Sequence, residues 1–445
     1  MGAGASDRRL RTGASALVGA AFTGATLLAS LGAGPATAAG PAPAPSPAQL
    51  GHQLVRDPVP RVDVHTRTAA ADRALVRRAP YPLADTFALH SLPGSAHTIL
   101  LDFNGDDVSG TAWNAPDLGL PDGRYRGWSL DGDPAFSDVE RAAVQDIWQR
   151  VAEDFAPFDV DVTTQDPGPD ALDRSSPDDP TYGTRAVITS SQVAARAICP
   201  DGCSGMAFFD VMDTAVDHAA YQPSWVFSDM VGNDLKDIAE VVSHEVGHNF
   251  GLLHDGTTTQ EYSFGQGSWA PIMGGGFSRP IVQWSRGAYA GANNPQDDLA
   301  LIAANGAPLR ADEAGDTPDG AGPLPSGPAY ITSDADTDVW SLGACSGWVH
   351  VAARPAPRSP NLDILLRLLE PDGTVVASAN PPSREVTRDR ATGMGAWLTL
   401  RLPPGRYAVS VEGVGHGGAL HAYDGYGSVG AYTVRASGCA ASLRR

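Results

Sequence analysis

Apolar residues recur at helical spacing in two stretches of the chain. Val139, Ala143, Ile147, Val151 and Phe155 lie three to four positions apart, with Ser137 placed to cap the first turn, so the pattern predicts a helix over 137–155. A second helix is predicted over Leu235 to Leu252. Shorter apolar runs read as strands: His97 to Phe103, Asp159 to Thr163, Thr184 to Thr189, Ala207 to Val211 and Trp225 to Ser228. The Asp-, Pro- and Ser-rich stretch from Asp166 to Pro180 reads as a loop. Strands alternating with helices predict a mixed sheet with helices packed on it, an α+β fold.

Beyond residue 310 the texture changes. Ala311 to Pro328 is turn-rich and predicts a linker. After it come seven short alternating segments: Asp338–Leu342, Trp348–Ala352, Asp363–Leu369, Thr374–Ser378, Ala396–Leu402, Arg406–Val411 and Tyr432–Arg435. Pro371-Asp372-Gly373 and Pro403-Pro404-Gly405 are expected to mark tight turns. Strands at this spacing predict a C-terminal β-sandwich over 329–440, able to fold apart from what precedes it, so that truncation near Pro325 should leave a folded remainder.

Composition narrows the class. The chain has 445 residues, 42% hydrophobic and 18% charged, which is a globular balance long enough for more than one core. Its formal charge of −20 argues against nucleic acid as a partner, since phosphate binding needs clustered basic side chains. Arg8, Arg9 and Arg11, the weakly apolar run Ala14 to Leu31 and Ala36-Thr37-Ala38 read as a signal peptide over 1–38. The run is short and broken by glycines, so no membrane anchor is expected. The four cysteines form two separated pairs, Cys199 with Cys203 and Cys345 with Cys439, and both pairs are disulfide candidates in an exported chain. The protein is expected to be extracellular and monomeric.

The chemistry concentrates in the second helix. His244-Glu245-Val246-Gly247-His248 sets two imidazoles four residues apart, one turn above each other on one helical face. Gly251 is suited to ending the helix in a left-handed turn, after which His254 can return to the same point. Three neutral nitrogens leave one position of a tetrahedral zinc ion open, as a hydrolytic site requires. Glu245 is then the general base.

These residues, spaced HExxHxxGxxHD and running from His244 to Asp255, resemble the signature of the metzincin zinc peptidases, and Asn249 and Asp255 resemble its adamalysin (reprolysin) branch. The resemblance implies a turn beneath the metal built on Met273, and a catalytic domain over 97–310 that hydrolyses protein or peptide substrates. It also implies that the stretch Gly276 to Gly291, with Phe277, Trp284 and Tyr289, walls the pocket for the residue after the cleaved bond. Asp255 is expected to support the fold under the site. Two departures stand out. Astacins and serralysins carry a tyrosine two residues after the methionine, where this chain has Gly275, and the cysteine-rich scaffold of animal adamalysins is absent. The segments Asp336–Leu342, Asn361–Asn380, Leu402–Gly418 and Tyr426–Val434 resemble bacterial pre-peptidase C-terminal domains. Asp334, Asp336 and Asp338 are calcium candidates, with a solvated acidic turn as the alternative.

Residues 39–96 carry six arginines and four aspartates and are expected to be a pro-segment, cut between Arg77 and Ser95. No cysteine precedes Cys199, so a thiolate cannot cover the metal; Asp57, Asp63, Asp85, His52, His65 and His90 are the candidates. Two other functions stay open: a zinc hydrolase acting on a non-peptide bond, and an inactive binding protein. An intact Glu245 argues against the second.

Overall fold

The computed structural model describes residues 54–58 and 68–440; the expected signal peptide, His52, Asp63 and His65 lie outside the described residues. The described residues fall in one compact unit.

The first strand, β1 (Leu54–Pro58), is followed by α1 (Ala69–Arg78), β2 (His97–Asp102) and α2 (Asp138–Asp154). Ser137 caps α2 as expected, its Oγ accepting from the Glu140 N–H while Glu140 returns a carboxylate oxygen to the Ser137 N–H. Next come β3 (Asp161–Thr163), β4 (Tyr182–Thr189), α3 (Gln192–Ile198), β5 (Cys203–Phe208), β6 (Ser224–Phe227) and α4 (Leu235–Asn249). The six strands form one sheet in the order β1-β5-β6-β4-β2-β3. β2, β3, β4 and β6 run parallel, whereas β5 is antiparallel to β6 and β1 is antiparallel to β5. Fully buried Ile99, Ile147, Val151 and Val246 pack α2 and α4 on this sheet.

Two details differ from expectation. β5 begins at Cys203 and ends at Phe208, earlier than the apolar run through Val211 suggested. The chain turns out of the sheet at Asp210 (φ 58°), where the N–H groups of Asp210, Val211 and Met212 are taken by carbonyls at the end of α4. The region ahead of β2 is also more structured than its weak periodicity implied. Thr86 and Leu89 are buried, Gln145 donates to Thr86 Oγ1 at 2.9 Å, and His90 pairs with Asp161 at 2.6 Å.

Past the site come β7 (Trp269–Pro271), β8 (Ile281–Gln283) and α5 (Asp298–Ala304). The C-terminal part is then built from β9 (Ala329–Ile331), β10 (Thr337–Pro355), β11 (Ile364–Leu369), β12 (Val375–Ala379), β13 (Ala396–Gly413) and β14 (Gly430–Cys439). They hydrogen-bond in the order β9-β14-β10-β13-β11-β12, with Gly322–Pro323 added parallel to β10. Four of the expected short strands are two long ones. Pro403 and Pro404 are no hairpin turn. They fall in a register shift opposite Cys345–Gly347, exposed and outside the ladder, where a missing N–H breaks no strand pairing. The predicted linker is also tied down, with the Val339 N–H donating to Gly315 O. Both disulfides form: Cys199–Cys203 closes the turn into β5, and Cys345–Cys439 joins β10 to β14.

The β-rich C-terminal part does not stand apart. One apolar cluster runs from the first sheet through Trp284 and Tyr426 into the second. Buried Glu153 accepts from the backbone N–H groups of Asn361 and Ala431, and buried Asp154 accepts from Asn361 Nδ2 at 2.9 Å and from Ser243 Oγ. Burial pushes the Asp154 carboxyl up to about 7 and that of Glu153 well above the usual range. Arg388, at the tip of the hairpin Arg384–Thr387/Arg390–Thr392, pairs with Asp234 and Asp237 at the start of α4 and donates to Phe277 O at 2.8 Å.

Candidate metal centre

α4 carries His244, Glu245 and His248 on one face, with Asp234 capping its start through the N–H groups of Lys236 and Asp237. Asn249 anchors its end, accepting from Thr184 Oγ1 and Ser224 Oγ and donating to Phe208 O. Gly251 takes φ 85°, and its N–H and that of Leu252 bond back to His248 O and Gly247 O, so the chain reverses and brings His254 beside the helix. Met273 is fully buried beneath. A Cβ on Gly247 would lie 2.6 Å from its sulfur, so only glycine lets helix and methionine meet this closely. The Asp255 N–H donates to Met273 O at 2.7 Å.

Each imidazole is oriented through its other nitrogen. His244 Nδ1 lies 2.8 Å from Ile272 O, His248 Nδ1 2.7 Å from Leu252 O, and His254 Nδ1 3.1 Å from Glu261 Oε1. Those oxygens only accept, so the Nδ1 atoms carry the protons and the Nε2 lone pairs converge. Burial pulls the His248 pKa down to about 4. For His244, burial lowers the pKa but the neighbouring Asp57 carboxylate more than offsets it, and the net direction is up.

The fourth member comes from β1. Asp57 Oδ1 lies 3.1 Å from His244 Nε2 and 2.8 Å from His254 Nε2, and Oδ2 is 3.6 Å from His248 Nε2. The four ligand atoms lie within 4.8 Å of one another. His248 Nε2 and Asp57 Oδ2 are buried without a hydrogen-bond partner. Lone pairs of three nitrogens and a carboxylate turned on one point leave that point to a cation, and three nitrogens with one oxygen suit zinc. The imidazoles, His244 foremost, overcome the effect of burial and hold the Asp57 carboxyl well below its usual range.

Glu245 is fully buried and neither carboxylate oxygen has a partner. Burial first, then Asp57, drive its pKa well above the ordinary value. A Cβ on Gly205 would lie 2.0 Å from Glu245 Oε1, so this glycine of β5 makes the room for the carboxylate. Nothing in the sequence pattern marks Gly205; only the approach of β5 to the helix does.

A cleft opens beside these groups, lined by Val241, Ile272, Phe277 and Val282, with Glu240 at its wall paired to Lys236. Of the three aromatic residues expected there, Phe277 lines it. Trp284 is core, donating to Asp154 O, and Tyr289 is buried, donating to Gly256 O. Asp255 is buried under the site with its carboxyl pushed up to about 7 by burial. Asp85 is exposed and His90 is held by Asp161, so neither joins the centre. Among the calcium candidates, Asp334 pairs with Arg286 and Asp338 accepts from Tyr432, while Asp336 gathers with Asp312 and Asp316 instead. That acidic group by itself specifies no ion.

Residues 162–255 match the family described as Metallo-peptidase family M12B Reprolysin-like. No curated protein matches the sequence. Among solved structures, the pre-peptidase C-terminal domain of a collagenase from Bacillus anthracis is similar at 15% identity, covering 28% of this chain and 98% of that one, with a TM-score of 0.18.

Proposed function

We propose that this chain, whose residues 162–255 match a reprolysin-like metallopeptidase family, is a secreted zinc endopeptidase made as a latent precursor. The match to that family supports zinc-dependent hydrolysis of protein or peptide substrates. The observation that carries the reading of the site is the convergence of three Nε2 lone pairs beside a buried, unpaired Glu245. In this reading His244, His248 and His254 hold the zinc, Glu245 is the base, and Met273 and Gly251 shape the floor and the turn. Export is supported by the basic and apolar start of the sequence and by two disulfides. No helix among the described residues is long and apolar enough to cross a membrane. We read residues 97–310 as the catalytic domain and 329–440 as a pre-peptidase-like domain bound to it, in a monomer.

When bound, zinc supplies Lewis acidity, polarising the scissile carbonyl and making water acidic enough to attack at neutral pH. Glu245 takes a proton from that water and returns it to the leaving amine, both of its carboxylate oxygens being free of other partners. β5 has its outer edge available to an extended peptide whenever β1 is gone, which orients a substrate by backbone hydrogen bonds.

Latency follows from β1. It pairs with β5 through Leu54–Phe208, Val55–Ala207, Arg56–Met206 and Asp57–Gly205, covering that edge while Asp57 meets the three histidines. Asp57 is therefore the latch. The burial of Thr86 and Leu89 favours a cut near Arg78, at the upstream end of the expected range, leaving the packed residues in the mature enzyme.

The reading is tested on the secreted, processed protein. It should hydrolyse casein but not acetylated glycans, lose activity with a chelator and regain it with zinc, and begin downstream of Asp57. Glycan hydrolysis without casein hydrolysis would support the non-peptide alternative, and a fully active form still beginning near Ala39 would remove the latch.

A further inference from the structure

A loop tyrosine adds one more polar group to the centre. The Tyr262 hydroxyl donates to Asp57 Oδ1 at 2.8 Å and lies 3.3 Å from His254 Nε2. It is the one hydroxyl bonded to that carboxylate among the described residues. Its ring packs 4.4 Å from the His254 ring. The loop that carries it is laced to the residues under the metal centre, with the Ser263 N–H donating to Asp255 O at 2.7 Å and the Gly275 N–H to Ser263 O at 2.9 Å. The Phe264 ring covers Gly275, where a Cβ would come within 2.7 Å of it.

Asp57 Oδ1 is an anionic oxygen held against His244 and His254. It stands in for the negatively charged oxygen that forms on the carbonyl carbon when a peptide bond is attacked. We propose that Tyr262 is a catalytic residue: with Asp57 gone, its hydroxyl donates to that oxyanion. The proposal rests on the zinc endopeptidase reading. Water adds to the carbonyl carbon, its proton passes to Glu245, and the carbonyl π pair becomes the oxyanion that accepts from Tyr262. On collapse the carbon–nitrogen bond breaks and the amine takes the proton from Glu245. Tyr262 keeps its own proton throughout. The hydroxyl thus serves twice, steadying Asp57 in the precursor and the reacting oxygen in the enzyme.

The test compares processed wild type with Tyr262→Phe, which keeps the ring packing. Loss of one oxyanion donor costs about 10²–10³ in kcat elsewhere, so kcat should fall about 100-fold while KM changes by less than about threefold. A second readout needs no turnover. In zinc-loaded protein carrying Glu245→Ala, calorimetry should find that Tyr262→Phe weakens a phosphinic peptide, which mimics the tetrahedral oxygen, about 100-fold, but a substrate peptide less than about threefold. Tyr262→His, which restores a donor, should recover part of the loss. Variant kcat within threefold of wild type, or equal weakening of both ligands, overturns the proposal while leaving the peptidase reading intact. A wild type that cleaves no peptide overturns both.

Discussion

Replacing Arg388 with Gln should weaken the whole molecule, in a manner that depends on pH. Arg388 comes from the C-terminal part, yet its guanidinium pairs with Asp234 and Asp237 of α4 and bonds Phe277 O on the cleft wall. Asp237 is fully buried while Arg388 is one quarter exposed. Breaking a fully buried pair from one side costs about 3–5 kcal/mol, and the partial exposure of Arg388 reduces this to roughly 2–4 kcal/mol. With an unfolding entropy of about 2 cal/mol/K per residue over a unit of this size, Tm should drop by roughly 2–5 °C at pH 8. Burial, Glu240 and Asp234 push the Asp237 carboxyl up to about 7, against the pull of Arg388. A carboxyl raised in the folded state burdens that state once pH exceeds its unfolded value, and fully above the folded one. Losing Arg388 enlarges that burden, so the deficit is greatest at pH 8 and narrows toward pH 5, where Asp237 is protonated. Scanning calorimetry of both proteins across pH 5–8 measures it. A Tm within 1 °C of wild type at pH 8, or a drop of equal size at pH 5, would refute the reasoning. The same pairing, with Glu153 and Asp154, is why deletion near Pro325 should give an unstable catalytic part rather than the folded one its strand pattern suggested.

Two further outcomes follow from the centre. Asp57→Ala in the uncut chain removes charge-assisted contacts of about 1.5–3 kcal/mol, so peptidase activity before processing should rise about 10- to 100-fold over uncut wild type; unchanged activity in a stopped-flow peptide assay would release Asp57 from its role. Gly205→Ala places a methyl where Glu245 Oε1 stands, and displacing the carboxylate by about 1 Å should cost about 100-fold in kcat with zinc retained. Metal analysis beside kinetics checks both halves.

What was legible in the sequence, and what was not, divides along physical lines. His244, Glu245 and His248 are readable because helical periodicity alone puts them on one face, and Gly251 is readable because a left-handed turn favours glycine. The cysteine pairs are readable from their separation. β1 is not: LVRDP is short and mixed, and it is a strand because the edge of β5 offers it hydrogen bonds. Tyr262 sits in a loop with no period to mark it. The long strands β10 and β13 appear in sequence as four because bulges at Gly343, Gly347 and the two prolines interrupt alternation without interrupting pairing. The attachment of the C-terminal part rests on lone charged residues, Arg388 and Glu153 among them, which sequence alone reads as solvated surface.

The most direct test of the central claim is zinc content and turnover measured together on the processed Glu245→Ala enzyme. About one zinc per chain is expected, since His244, His248 and His254 survive, with peptide turnover reduced about 10²- to 10⁴-fold by loss of the proton carrier. Retention of more than a few per cent of wild-type turnover, or loss of the metal along with the activity, would contradict the assignment of Glu245 as base beside a three-histidine zinc site.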